Sequence, residues 1–159
     1  MLATITALNV SIWIHVTAAV VGFGSTFAEA VTFPVAMKLD KRHLPYVHKL
    51  QLFINQRLAT PALVIILVTG IYQVSEGNFS FGDMWISFTF LIVIVLGGLL
   101  GAYFIPTDRR LFDQVTKDLA ETGEPSKGYL ADVRREGVLG TITGILIVVA
   151  LFLMVTKPG

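Results

Sequence analysis

The sequence predicts an all-α, polytopic membrane protein, a four-transmembrane-helix bundle forming one domain over residues 1–159. Three observations predict it. The chain is 54% hydrophobic and only 14% charged, with a mean hydropathy of +0.73, well above a soluble domain of this length. The apolar residues are also clustered, and Glu29 is the only formal charge between Met1 and Met37. Such clustering recurs in four stretches, each at least as long as the roughly 20 residues that a bilayer core requires.

The spans read as residues 5–37, 50–74, 84–105 and 137–156. The first is longer than a bilayer needs, so it tilts or continues past the interface until Pro34 disturbs it. No Lys or Arg precedes Lys38, and the run is too long for a cleavable signal peptide. The second opens amphipathically in QLFINQRLATP and turns uniformly apolar after Pro61. The third opens on Trp85, an interfacial anchor, and stops before Pro106. The fourth, GVLGTITGILIVVALFLMVT, carries no charge.

The loops set an orientation. Of the 12 Lys and Arg residues, only Lys157 falls outside residues 38–57 and 109–135. The positive-inside rule then places both long connections in the cytoplasm and both termini outside, as in a bacterial-type cytoplasmic (inner) membrane. Within the second connection, Leu111, Phe112, Val115 and Leu119 mark one face of a short amphipathic cytoplasmic helix between spans three and four, suited to cap the bilayer surface or dock a partner. ETGEPS ends it, and Ser126 can start the next helix.

Small residues spaced by four predict close helix packing in lipid: Ala18 with Gly22, Gly97 with Gly101, and Gly140 with Gly144. Glu29 and Arg57 fall about 12 Å and about 10 Å inside the cytoplasmic ends of spans one and two at 1.5 Å per residue. A charge inside the bilayer is costly unless paired, which predicts an intramembrane Glu29–Arg57 contact supported by Asn55, Gln56, Ser25 and Thr26. A structural clamp, a ligand or proton site, and an Arg57 that simply snorkels to the interface are all open readings of that pair.

His15 stands in the outer half of the first span. It projects to nearly the face of Glu29 but about 21 Å from it, so the two cannot share an ion. Ala18, Ala19, Gly22 and Ser25 line a groove between them, wide enough for a helix or a flat ligand. His15 hydrogen-bonds Thr69, Tyr72 or Thr89, ligates a haem b through a neutral imidazole, or serves a proton or metal relay. His43 and His48 flank Pro45 in a basic interfacial segment and, even with Asp40, match no strong metal motif, so no metal site is assigned. Without cysteine the chain forms no disulfide, thiolate site or iron–sulfur cluster. A phosphate loop, a nucleophile elbow and HExxH are absent, and the balanced basic residues give no sign of nucleic-acid binding.

The order SIWIHVTAAVVGFG, basic loop, RLATPALVIILVTGIY, short outer loop and DMWISFTFLIV resembles the HemJ-type membrane protoporphyrinogen oxidases, the CopD-like copper-resistance membrane domain, and related four-helix bacterial proteins of uncharacterised function. The resemblance implies a haem-linked role for His15, with Gly22 beside the ligand. The lysine that HemJ-type enzymes carry after the third-helix tryptophan is replaced here by Thr89, which points away from oxidase activity and toward the uncharacterised branch. Three functions follow: a noncatalytic accessory subunit of a larger membrane complex, a haem- or porphyrin-binding membrane protein, or a copper or small-solute transport component. The expected partners are the lipid bilayer and either another membrane protein or further copies of the chain.

Overall fold

The computed structural model describes residues 5–77 and 79–158. Helix α1 (Ala7–Lys38) opens on a reciprocal cap: Thr6 Oγ1 accepts from the Asn9 N–H at 3.2 Å, and Asn9 Oδ1 accepts from the Thr6 N–H at 3.1 Å. A 3₁₀ turn (Lys41–His43), capped by Asp40, leads into α2 (Leu44–Ile54). A π turn (Asn55–Ala59) joins α2 to α3 (Thr60–Glu76). After the short connection, α4 (Met84–Leu99) passes through a second π turn (Leu100–Phe104) into α5 (Ile105–Thr122). Gly123, in the left-handed region at φ 73°, ends α5, and Ser126 caps the last helix, α6 (Lys127–Thr156).

Four helical stretches are long and apolar enough to cross a membrane, and the second, third and fourth are longer than the sequence spans. The 32 residues of α1 reach about 48 Å, against a hydrocarbon core of about 30 Å. Pro34 does not end α1, which runs on to Lys38. Pro106 does not end the third span either. Each of Pro61 and Pro106 follows a five-residue π turn by two positions, and the physical reason is shared. A proline ring clashes with the carbonyl four residues back. The wider turn moves that carbonyl aside, with Thr60 N–H bonding Asn55 O and Ile105 N–H bonding Leu100 O. The helices therefore run on through their prolines without stopping.

Two cores result. In the membrane, α1 packs on α3 and α4 on α6 around Ala18, Phe23, Ile66, Val93, Leu96 and Ile147, while Val20, Ile94 and Val148 face outward, as lipid contact demands. At the basic end, α2 packs on α5 with the end of α1 and the start of α6 around Leu44, Val47, Leu111, Val115 and Tyr129. The amphipathic helix expected between spans three and four is α5. Its apolar stripe is buried in this second core instead of lying on the bilayer, with Leu111 and Val115 both at 0% exposure. At the opposite end Lys157 reaches back over the Phe79 ring, 4.7 Å from its centroid.

Candidate functional site

On α2, His48, Gln51 and Asn55 stand at i, i+3 and i+7, a polar stripe on one helical face. α5 offers Asp108 in line with Leu111 and Val115, and α6 offers Tyr129 and Glu136 seven residues apart. α1 contributes Glu29 and Phe33, one turn apart. Helix packing at the basic end brings these stripes together.

His48 is fixed on both sides. Its Nε2 lies 2.7 Å from the Tyr129 hydroxyl, and its ring meets Tyr129 edge-on and Phe33 at a 6.1 Å centroid distance. Its Nδ1 faces Asp108 Oδ1 at 3.6 Å, beyond hydrogen-bond range. The other carboxylate oxygen, Asp108 Oδ2, accepts from Asn55 Nδ2 at 3.1 Å. His48, Asp108 and Glu136 are all buried, and one donor atom from each lies within 4.8 Å of the other two. His48 Nδ1, Asp108 Oδ1, Glu29 Oε1 and Gln51 Oε1 are buried with no hydrogen-bond partner among the described residues.

A cavity of about 710 Å³ opens beside this cluster. Glu29, Asp108 and Glu136 line it together with Phe23, Phe27 and Phe104, and no Lys or Arg lines it. Arg110, the base on α5 next to Asp108 and Arg109, is engaged by Asp132 at 2.8 Å. Buried negative charge without compensation is far costlier than a lost hydrogen bond. Three carboxyl groups around one cavity therefore require positive charge, brought by protons or by a bound cation.

Glu29 and Arg57 are not brought together. Glu29 faces this cavity, whereas Arg57 is exposed and lines a separate outward groove with Trp13, Thr17 and Pro61. The π turn at Asn55–Ala59 turns Arg57 outward, and the residues expected to support the pair are engaged elsewhere. Ser25 and Thr26 bond the Gly22 carbonyl at 2.8 and 3.1 Å, and Asn55 bonds Asp108.

His15 Nδ1 lies 2.7 Å from Thr69 Oγ1, one of its expected partners. The groove at Ala18 and Gly22 is filled on the α3 side, since a Cβ on Gly22 would sit 2.7 Å from that of Ala62. His15 lines neither the large cavity nor the outward groove, and a Cβ on Gly70 would already lie 3.5 Å from its ring. These residues do not fit a haem between α1 and α3. Gly97 is tight against Leu63, at 3.1 Å for a Cβ, and Gly144 makes ordinary contact with Phe27. Gly101 and Gly140, expected to pack closely, face open space: Gly101 lies on the exposed side of its π turn and Gly140 lines the cavity.

Four apolar helices of membrane-spanning length, closed at one end around a buried polar pocket, define a multi-pass integral membrane protein in contact with lipid. Residues 9–158 match the family described as "Predicted integral membrane protein (DUF2269)", and the chain belongs to that family. No curated protein and no solved structure matches the chain. The match supports a membrane family and does not extend to HemJ-type or CopD-like membership.

Proposed function

We propose that this is a noncatalytic membrane protein that binds a cation in the cavity at the basic end of its bundle. The observation that carries the reading is the convergence of Glu29, Asp108 and Glu136 on one cavity without a Lys or Arg in its wall. Ionisable residues in or at the edge of the membrane are costly and therefore point to function. A volume of about 710 Å³ lies within the usual range of small-ligand sites, and the aromatic wall suits a bare ion or a cation with an apolar body. With the positive-inside orientation, the site opens at the cytoplasmic boundary of an inner membrane. An accessory role in a larger complex is compatible with the same site, the cation then being held beside a partner subunit.

The test is the melting temperature of the full chain in mild detergent with divalent ions, lipophilic amines and neutral isosteres of those amines. A saturable rise with a charged probe, absent with neutral isosteres and lost in Glu136→Gln, is expected. If no charged probe of either kind moves the transition, the reading fails. For the haem alternative, a reduced-minus-oxidised visible spectrum is expected to show no band that His15→Ala removes.

A further inference from the structure

We infer that His48, Asp108 and Glu136 form a binding site for a divalent first-row transition-metal ion. The inference rests on the cation-binding reading above and names the cation's class. It stands on geometry. Two atoms bound to one ion at about 2.0–2.2 Å with tetrahedral angles sit roughly 3.3–3.6 Å apart. His48 Nδ1 and Asp108 Oδ1 are 3.6 Å apart, and neither has a hydrogen-bond partner among the described residues. Their side chains are 0% and 1% exposed, so solvent is not the missing partner. One ligand atom each from His48, Asp108 and Glu136 lies within 4.8 Å of the other two, which brings the Glu136 carboxylate into the group as a third ligand.

The supporting shell is also present. Metal-bound imidazoles characteristically donate their second ring N–H to a fixed acceptor, and ligating carboxylates are held by a hydrogen bond of their own. The Tyr129 hydroxyl is placed to accept from His48 Nε2, which assigns Nδ1 to the ion. Asn55 holds the remote oxygen of Asp108 and leaves Oδ1 free to bind. Gln51 Oε1 and Glu29 Oε1, both buried and unpartnered, line the same cavity as further oxygen donors or as acceptors from metal-bound water. One nitrogen with carboxylate oxygens favours Zn²⁺, Co²⁺, Mn²⁺ or Fe²⁺ over Ca²⁺ and Mg²⁺, which prefer all-oxygen sites, and over Cu⁺, which prefers sulfur.

The experiment is calorimetric titration of the chelator-stripped full chain in detergent with Zn²⁺, Co²⁺ and Mg²⁺, together with the visible spectrum of the Co²⁺ form. One Zn²⁺ per chain is expected, at least tenfold tighter than Mg²⁺, with a Co²⁺ d–d band showing nitrogen and oxygen ligation. His48→Gln and Asp108→Asn should each weaken Zn²⁺ binding at least tenfold. Tyr129→Phe should weaken it about tenfold to a hundredfold through the supporting shell. His43→Gln, on an exposed histidine, should leave it unchanged. Because wild-type titration and spectrum alone decide whether an ion is bound, a variant that fails to fold does not obscure the result. Absence of saturable Zn²⁺ and Co²⁺ binding overturns the metal site, as does undiminished binding in a folded His48→Gln. If lipophilic amines still stabilise the chain in that event, the broader cation reading survives without the metal. If they do not, both fall.

Discussion

At Gly22 the chain tolerates no Cβ, because one placed there would stand 2.7 Å from the Ala62 Cβ. Gly22→Ala must push α1 from α3, an overpacking cost of about 1–3 kcal/mol, seen as a lower melting temperature. Gly140, with nothing near its open side, should accept alanine with an unchanged or slightly raised transition. Asp40 allows a pH prediction outside the membrane. The Arg42 side chain donates to its carboxylate at 2.7 Å and the Arg42 backbone N–H at 2.9 Å, which hold it down to about 2. That lies below the roughly 3.9 of a free aspartate, so the interaction contributes above that value and is lost as pH falls through about 2. A carboxyl NMR titration should find a midpoint near 2, moving up toward about 3.9 in Arg42→Ala. The site itself was only half legible at this scale. Glu29 stood out because it was alone in an apolar run, and the His15–Thr69 contact was among those anticipated. Asp108 and Glu136 sat among many charges of a connecting segment, where nothing marks which acid turns inward. The readable signal was the i, i+3, i+7 stripe of His48, Gln51 and Asn55, which the neighbouring Pro45 and basic residues disguised as loop.

Among the elements, the number of spans followed directly from apolar run length, but their basic ends did not. In sequence, proline reads as a stop, and the chain answers with a π turn ahead of Pro61 and Pro106. The proline alone does not announce such a turn, because Pro34 stands inside α1 with none ahead of it. The turn and the proline should be energetically coupled. Deleting Leu58 closes the first π turn to α geometry and brings the Pro61 ring onto a carbonyl, a clash of about 3 kcal/mol. In a Pro61→Ala background the same deletion should cost markedly less, as melting curves of the four proteins would reveal. Deleting Val64 within α3 instead rotates Ile66 and the rest of the helix by about 100° relative to Ala62, so the two no longer share the face on α1, and should unfold the protein in either background.

For the whole molecule, topology is the property most open to direct measurement, because the native chain has no cysteine. Single cysteines at Lys117 and Thr156 should react oppositely with a membrane-impermeant thiol reagent applied to intact cells. The positive-inside rule predicts labelling at Thr156 and protection at Lys117 until the membrane is opened. The two π turns have a consequence at this same scale. Asn55, which opens the first π turn, bonds Asp108, four residues past the second, so both turns lie at one height, with Pro34 of α1 beside them next to Phe33 and His48. Of the four membrane crossings only α6 passes that height without a proline or a π turn, and there it carries Gly137 and Gly140. Prolines, π turns and glycines of all four crossings thus gather at one level of the bundle, and the carboxylate–histidine cluster sits at that level. A cation bound there as proposed would draw its ligands from α2, α5 and α6 at once and act as a rivet between the basic end and the membrane core.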